Sequence, residues 1–260
     1  MPESPEIILI IGAILILISV MVSKVSERLG IPLLLLFLLL GMVAGSEGLG
    51  GIYFDDPLVA QWVCTVALSV ILFSGGIDTE WKRIKPLFKE GLLLATLGVF
   101  LTAAVVALFS RFILQLNWHV SLLIGAIASS TDAAAVFALL RSKGIRLKGN
   151  LAPLLELESG SNDPMAIFLT IGILQWIQNK IDQPIEMILL FIMQMGVGLI
   201  VGWLMSRLSL FLINRLKLGY EGLYPVLIFA LVFLTFGLAS LLGGSGYLAA
   251  YVLGLLLGKE

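Results

Sequence analysis

Charge, sulfur and imidazole are scarce in this chain of 260 residues. Only 13% of residues are charged, and there is one histidine and one cysteine. A single cysteine excludes an intrachain disulfide, and Cys64 sits in an apolar run where a thiol packs as a small hydrophobe. A net charge of −1 points away from nucleic acid as a partner. The opening MPESPEIILI lacks the basic start of a cleavable signal peptide, so the first apolar run reads as a retained helix. No tandem repeat, linker or soluble domain is visible. Apolar sequence is what is abundant: 59% of residues are hydrophobic and the mean hydropathy is +1.07. One soluble core could not bury that much apolar surface, so the chain reads as an all-α, polytopic membrane protein in a lipid bilayer.

A helix needs about 20 apolar residues to cross a bilayer. Spans are expected at about 7–23, 32–46, 58–77, 87–114, 118–140, 151–178, 185–213, 222–242 and 246–258. The connectors alternate in charge. One set carries fourteen of the sixteen basic residues: Lys24 and Arg28, Lys82 to Lys89, Arg141 to Lys148, Arg207 to Lys217, and Lys259. The other set carries Arg111 and Lys180 with Glu47, Asp55, Asp56, Asp182 and Glu186. Basic connectors stay in the cytoplasm, which puts the N-terminus outside a cell (inner) membrane. Gly41/Gly45, Gly198/Gly202 and Gly254/Gly258 have the spacing of small-residue helix contacts, although glycine is also simply common in membrane helices.

Thirteen of the seventeen carboxylates lie in connectors or at the N-terminus. The other four are Asp132, Glu156, Glu158 and Asp163. A charge at the bilayer centre costs about 2.5–3.5 kcal/mol, so such residues face a bundle interior or water and suggest function. A buried ion pair is the competing reading, but no Lys or Arg lies at the depth of Asp132 or Asp163. At 1.5 Å per residue Asp132 sits about 14 Å in from Arg141, and Asp163 about 20 Å in from Asn150. Both aspartates fall near the midplane, where neighbouring helices could bring them together. Ser159 and Asp163 share a helix face, as do Glu158 and Asn162. Pro164 removes the helical partner of the Gly160 carbonyl. In ASSTDAAA, Ser129, Ser130 and Thr131 compete for backbone hydrogen bonds and predict a break that frees carbonyls. Hydroxyls, carbonyls and carboxylates together suit an alkali cation or a proton, not a soft metal. His119, at the outer end of its span, reads as interfacial.

Two motifs on consecutive spans, STDAAAV (130–136) and ESGSNDPMA (158–166), resemble those of the monovalent cation/proton antiporters, the sodium/proton exchanger superfamily. LGIPLLLLFLLLGMVAG and SGYLAAYVLGLLLG resemble its early and ninth helices, and the wording is nearest the bacterial potassium or sodium branch. The resemblance covers essentially the whole chain, 1–260, as one transmembrane domain. It implies secondary antiport of Na+ or K+ against H+, and a usually homodimeric fold of two inverted repeats. This chain would supply the first repeat and the start of the second. It implies that Asp163 binds cation and proton in competition and that Asn162 marks electroneutral exchange. Thr131, Asp132 and Ser159 would line or support the ion site. Glu158 would pair with an arginine on a later helix. No cofactor is implied, no metal beyond the transported alkali cation, and no enzymatic activity.

The family has about twelve or thirteen spans and nine are expected here, so the chain reads as an N-terminal portion. On that reading Glu158 is left unpaired and the site is open on one side. A non-transporting fragment is therefore one alternative. An intramembrane aspartyl protease is another, since it also needs two aspartates on adjacent helices. Those enzymes share a Gly-x-Gly-Asp motif, whereas Gly160, Ser161 and Asn162 precede Asp163 here.

Overall fold

The structure, a computed structural model, describes residues 4–29, 31–178, 184–216, 219–220 and 222–259. Lys180, Asp182 and Lys217 of the charge pattern lie outside the described residues. The described chain is almost entirely helical. Among the described residues four helices are long and apolar enough to cross a membrane: Pro57–Asp78, Trp81–Phe112, Ile185–Leu216 and Leu223–Leu241. By length and composition these helices make it a multi-pass membrane protein.

The chain divides into two compact units. The first combines the N-terminal residues to Pro57 with Asp132–Lys148. It holds α1 (Pro5–Leu29) and α2 (Leu33–Ala44), and both α2 and the later segment Ala133–Ser142 pack on α1. After α2 the chain turns back on itself: Gly50 N–H donates to the Val43 carbonyl (2.8 Å) and Ile52 N–H to that of Ala44 (3.0 Å).

The second unit, Leu58–Thr131 and Gly149–Glu260, is larger. α3 (Pro57–Asp78) opens it, with proline at the helix start, where its missing N–H costs nothing. The span expected over 87–114 belongs to a longer helical segment that starts at Trp81 and ends at Phe112. That segment runs as α4 (Trp81–Ile84), a 3-10 turn at Lys85–Leu87, α5 (Phe88–Leu93), a π turn at Leu94–Gly98 and α6 (Val99–Phe112). Pro86 lacks the donor a regular helix needs and accounts for the tightened turn. The next connector is closed by the Arg111 guanidinium, which donates to the Leu116 carbonyl (2.8 Å), and Asn117 caps the helix that follows through Val120 N–H (2.9 Å).

The fifth expected span is two helices. α7 (Trp118–Ile127) stops, residues 128–132 are not helical, and α8 (Ala133–Ser142) begins in the first unit. The stop has a local cause: Ser129 donates both its hydroxyl (2.7 Å) and its N–H (3.3 Å) to the Ala126 carbonyl. α9 (Leu151–Ile177) continues through Pro164 without a break. Its length is ample at 27 residues, and its polar middle keeps it out of the strongly apolar set. α10 (Pro184–Leu216), α11 (Leu223–Leu241) and α12 (Gly246–Leu257) complete the unit.

Three buried clusters form inside the second unit, two of them large. Phe73 of α3 packs with Val201 and Met205 of α10, Leu231 and Val232 of α11, and Ala249 and Leu253 of α12. Val99 of α6 and Ala126 of α7 pack with Ala166, Phe168, Leu169 and Ile173 of α9. A third cluster brings together Leu72, Ile84, Leu157, Tyr251 and Leu255 from α3, α4, α9 and α12. Lipid offers no hydrophobic drive for helix association, so close packing has to supply it. At Gly254 a Cβ would lie 2.1 Å from the Phe73 carbonyl oxygen, and at Gly202 2.8 Å from that of Ala249. The pairs Gly198/Gly202 and Gly254/Gly258 are thus interhelix contacts. Gly41 is not, since a Cβ there meets nothing within 4 Å.

Candidate functional site

The polar residues of α9 lie on adjacent helix stripes. Spacings of four align Glu158 with Asn162 and Ser159 with Asp163, so the four side chains form a compact square. The end of the α7 break, Ser130 and Thr131, lies against this square. The Ser130 hydroxyl donates to Asp163 Oδ1. The Thr131 hydroxyl donates to the Glu158 carboxylate (3.0 and 3.1 Å) and accepts from Asn162 Nδ2 (2.6 Å). Asn162 Nδ2 also donates to Glu158 Oε1 (2.9 Å). The Thr131 carbonyl, freed from any helix, accepts from the Ser159 hydroxyl (2.9 Å).

The expectation that Glu158 is unpaired needs correction. Among the described residues no cation holds it, yet a hydroxyl and an amide do. Expecting an arginine left out the donors one turn away on the same helix and across the break. Asn162 is fully buried, and with both amide protons engaged its Oδ1 is left without a hydrogen-bond partner. That orphaned acceptor is the type of oxygen that a hard cation or a proton donor takes. Among the described residues no cluster of three or more His, Cys, Asp or Glu could hold a metal ion.

Asp163 opens onto a pocket of about 300 Å3. Ser130 and Thr170 supply its other polar lining, and Leu68, Ile127, Ala166, Ile167 and Ile171 the rest. The sequence matches the family model described as the transmembrane sodium/hydrogen exchanger over residues 13–260. The chain belongs to the sodium/hydrogen exchanger family. It is 42% identical to the K(+)/H(+) antiporter NhaP of Alkalimonas amylolytica over 252 residues, covering 97% of this chain and 44% of that protein. It is 29% identical to the Na(+)/H(+) antiporter NhaS2 of Synechocystis, covering 48% of it. The fold is similar to that of the sodium proton antiporter MjNhaP1 of Methanocaldococcus jannaschii at pH 8. The TM-score there is 0.77 at 26% identity, over 98% of this chain and 64% of that one. The chain thus spans less than half the length of these curated relatives.

Of the expected site residues, the structure gathers Thr131, Glu158, Ser159, Asn162 and Asp163. Asp132 begins the second segment of the other unit, where its carbonyl accepts from Val136 N–H (3.3 Å) at the start of α8. Glu156 is exposed and interacts electrostatically with Arg83 and Glu80, which are themselves paired at 2.8 Å. It is a helix-end charge and not a member of the square. His119 packs its ring on Trp176, the two centroids 5.4 Å apart. Ser130 and Thr170 were missed as site residues. The signal for Ser130 was the run of hydroxyls at the break, and for Thr170 its place two turns beyond Asp163 on the same stripe.

Proposed function

We propose that the protein exchanges Na+ or K+ for H+, with Asp163 binding cation and proton in competition. The observation that carries this reading is Asp163 itself. It is a carboxylate in the polar middle of a membrane-length helix, hydrogen-bonded by the break and facing a pocket. One carboxylate in a low-dielectric site calls for one neutralising charge, so a bound proton and a bound alkali cation exclude each other. Ser130 donates to the ionised form, and the same carboxyl donates instead once protonated. The two large clusters in the larger unit supply the helix groups for alternating access: α3 with α10–α12, and α6, α7 and α9. The relatives' names supply the ions.

Asn162 beside Asp163 supports electroneutral exchange, one proton per cation. The basic connectors support an inner-membrane protein with its N-terminus outside, and the family resemblance is the ground for reading residues 1–260 as one transmembrane domain of a homodimer. Exchange is proposed for the assembled protein, because the chain spans 44% of the first relative.

In proteoliposomes, Asp163→Asn abolishes cation-driven dissipation of a pH gradient while membrane insertion stays normal. Normal dissipation by that variant overturns the assignment. Asp132→Asn slows exchange through lost support of the break. Clamping the membrane potential leaves the wild-type rate unchanged if exchange is electroneutral.

A further inference from the structure

The Asp163 pocket shares a wall with a second, larger pocket of about 450 Å3. Ile167 and Ile171 of α9 line both, and each is half-buried. Half of the second pocket's twelve lining residues are polar: Gln61 and Thr65 of α3, Gln194 of α10, Ser240 of α11, Tyr247 of α12 and Ser245, which caps α12; Trp62 and Phe236 join the isoleucines on its apolar side.

Helical register explains the arrangement. Gln61, Thr65 and Leu68 form one stripe of α3, and Asp163, Ile167 and Thr170 form one stripe of α9. Leu68 lines the Asp163 pocket, while Thr65 and Gln61 line the second, nearer the start of α3. The seam between these helices therefore runs from the α3 start and the turn before α12 down to Asp163. The second pocket is also held in shape. The Tyr247 hydroxyl donates to Thr65 Oγ1 (3.4 Å), and Ser245 N–H donates to the Gln194 carbonyl (2.9 Å). Either pocket has room for several waters, since one water needs only about 10–15 Å3 of such space. The second pocket's lining is uncharged, so its amide and hydroxyl oxygens can replace hydration waters without trapping a cation.

We propose that the cation reaches Asp163 through this second pocket, and that Ile167 and Ile171 are the apolar gate between the two. The inference rests on the reading of Asp163 as carrier and adds the route and its barrier. By the charge pattern this route opens to the outside. Two branched aliphatic side chains across a water-filled path block a hydrated ion by dewetting, so a small displacement of α9 switches access.

Thiol accessibility tests this without requiring exchange. In a Cys64→Ala background, Thr65→Cys probes the second pocket and Thr170→Cys the Asp163 pocket. A membrane-impermeant cationic thiosulfonate is added outside intact cells. Thr65→Cys is expected to react at least about tenfold faster than Thr170→Cys, and the combined Ile167→Ala and Ile171→Ala change to close most of that gap. Ile167→Phe widens it. Should the double variant not reach the membrane, Ile171→Val gives a smaller acceleration in the same direction. Equal rates with both isoleucines intact, or a Thr170→Cys rate indifferent to trimming and to Phe, overturn the proposal. An active Asp163→Asn protein refutes the carrier reading instead, so the two failures are separable.

Discussion

Two contacts in the larger unit hold helices together by opposite means. α12 meets α3 through glycine. A Cβ on Gly258 would lie 2.4 Å from the Ile77 carbonyl, and one on Gly76 2.4 Å from that of Tyr251. Residues 130–131 meet α9 through hydroxyls, an amide and two carboxylates. The glycine contact works by van der Waals proximity and is indifferent to protonation. The polar contact changes strength whenever a proton or a cation arrives at a carboxylate. Interhelical hydrogen bonds in membranes average only about 0.6 kcal/mol, so the polar contact is adjustable where the glycine contact is fixed by shape.

That contrast can be broken from either side. The largest expected effect is at Gly254→Leu. The collision is with the Phe73 backbone and no rotamer relieves it, so more than about 3 kcal/mol is lost and monodisperse protein disappears on size-exclusion chromatography. Gly41→Leu, where a Cβ meets nothing, stays monodisperse. Next is Asn162→Leu, which takes one donor from Glu158 and one from Thr131 inside a buried site. It costs about 1–3 kcal/mol in thermal stability measured in detergent. Ser130→Ala removes a single donor from Asp163. Its cost is about 1 kcal/mol, read as a roughly fivefold rise in the cation concentration for half-maximal exchange. The smallest effect is at Cys64→Ala. The thiol is exposed, and stability stays within about 0.5 kcal/mol of the parent. A Gly254→Leu protein as stable as the parent would erase the distinction between the two contacts.

Much of the site was legible because its causes are local. Three hydroxylated residues before Asp132 announce a helix stop, and spacings of four on α9 put Glu158, Ser159, Asn162 and Asp163 on one face. What was not legible depends on neighbours distant in sequence. Ser130 reaches Asp163 across 33 positions, and no spacing rule connects them. Glu158 looked unpaired because only cations were counted as partners, while Thr131 and Asn162 supply neutral donors. Three glycine pairs of identical spacing were indistinguishable until the backbone beside each was known. The single expected span over 87–114 hid a π turn at Leu94–Gly98, a departure that hydrophobic periodicity averages away, and began at the end of a 3-10 turn that prolongs the segment back toward Trp81.

Backbone-to-backbone contact at Gly76, Gly254 and Gly258 has a mechanical consequence. Side chains absorb small shifts by changing rotamer, but two main chains in contact have no such slack. α3 and α12 therefore travel as one stiff lever, carrying Gln61, Thr65 and Tyr247 with them. The compliant plane lies elsewhere, along the branched aliphatic flank of α9 at Ile167 and Ile171, and slip is cheapest there.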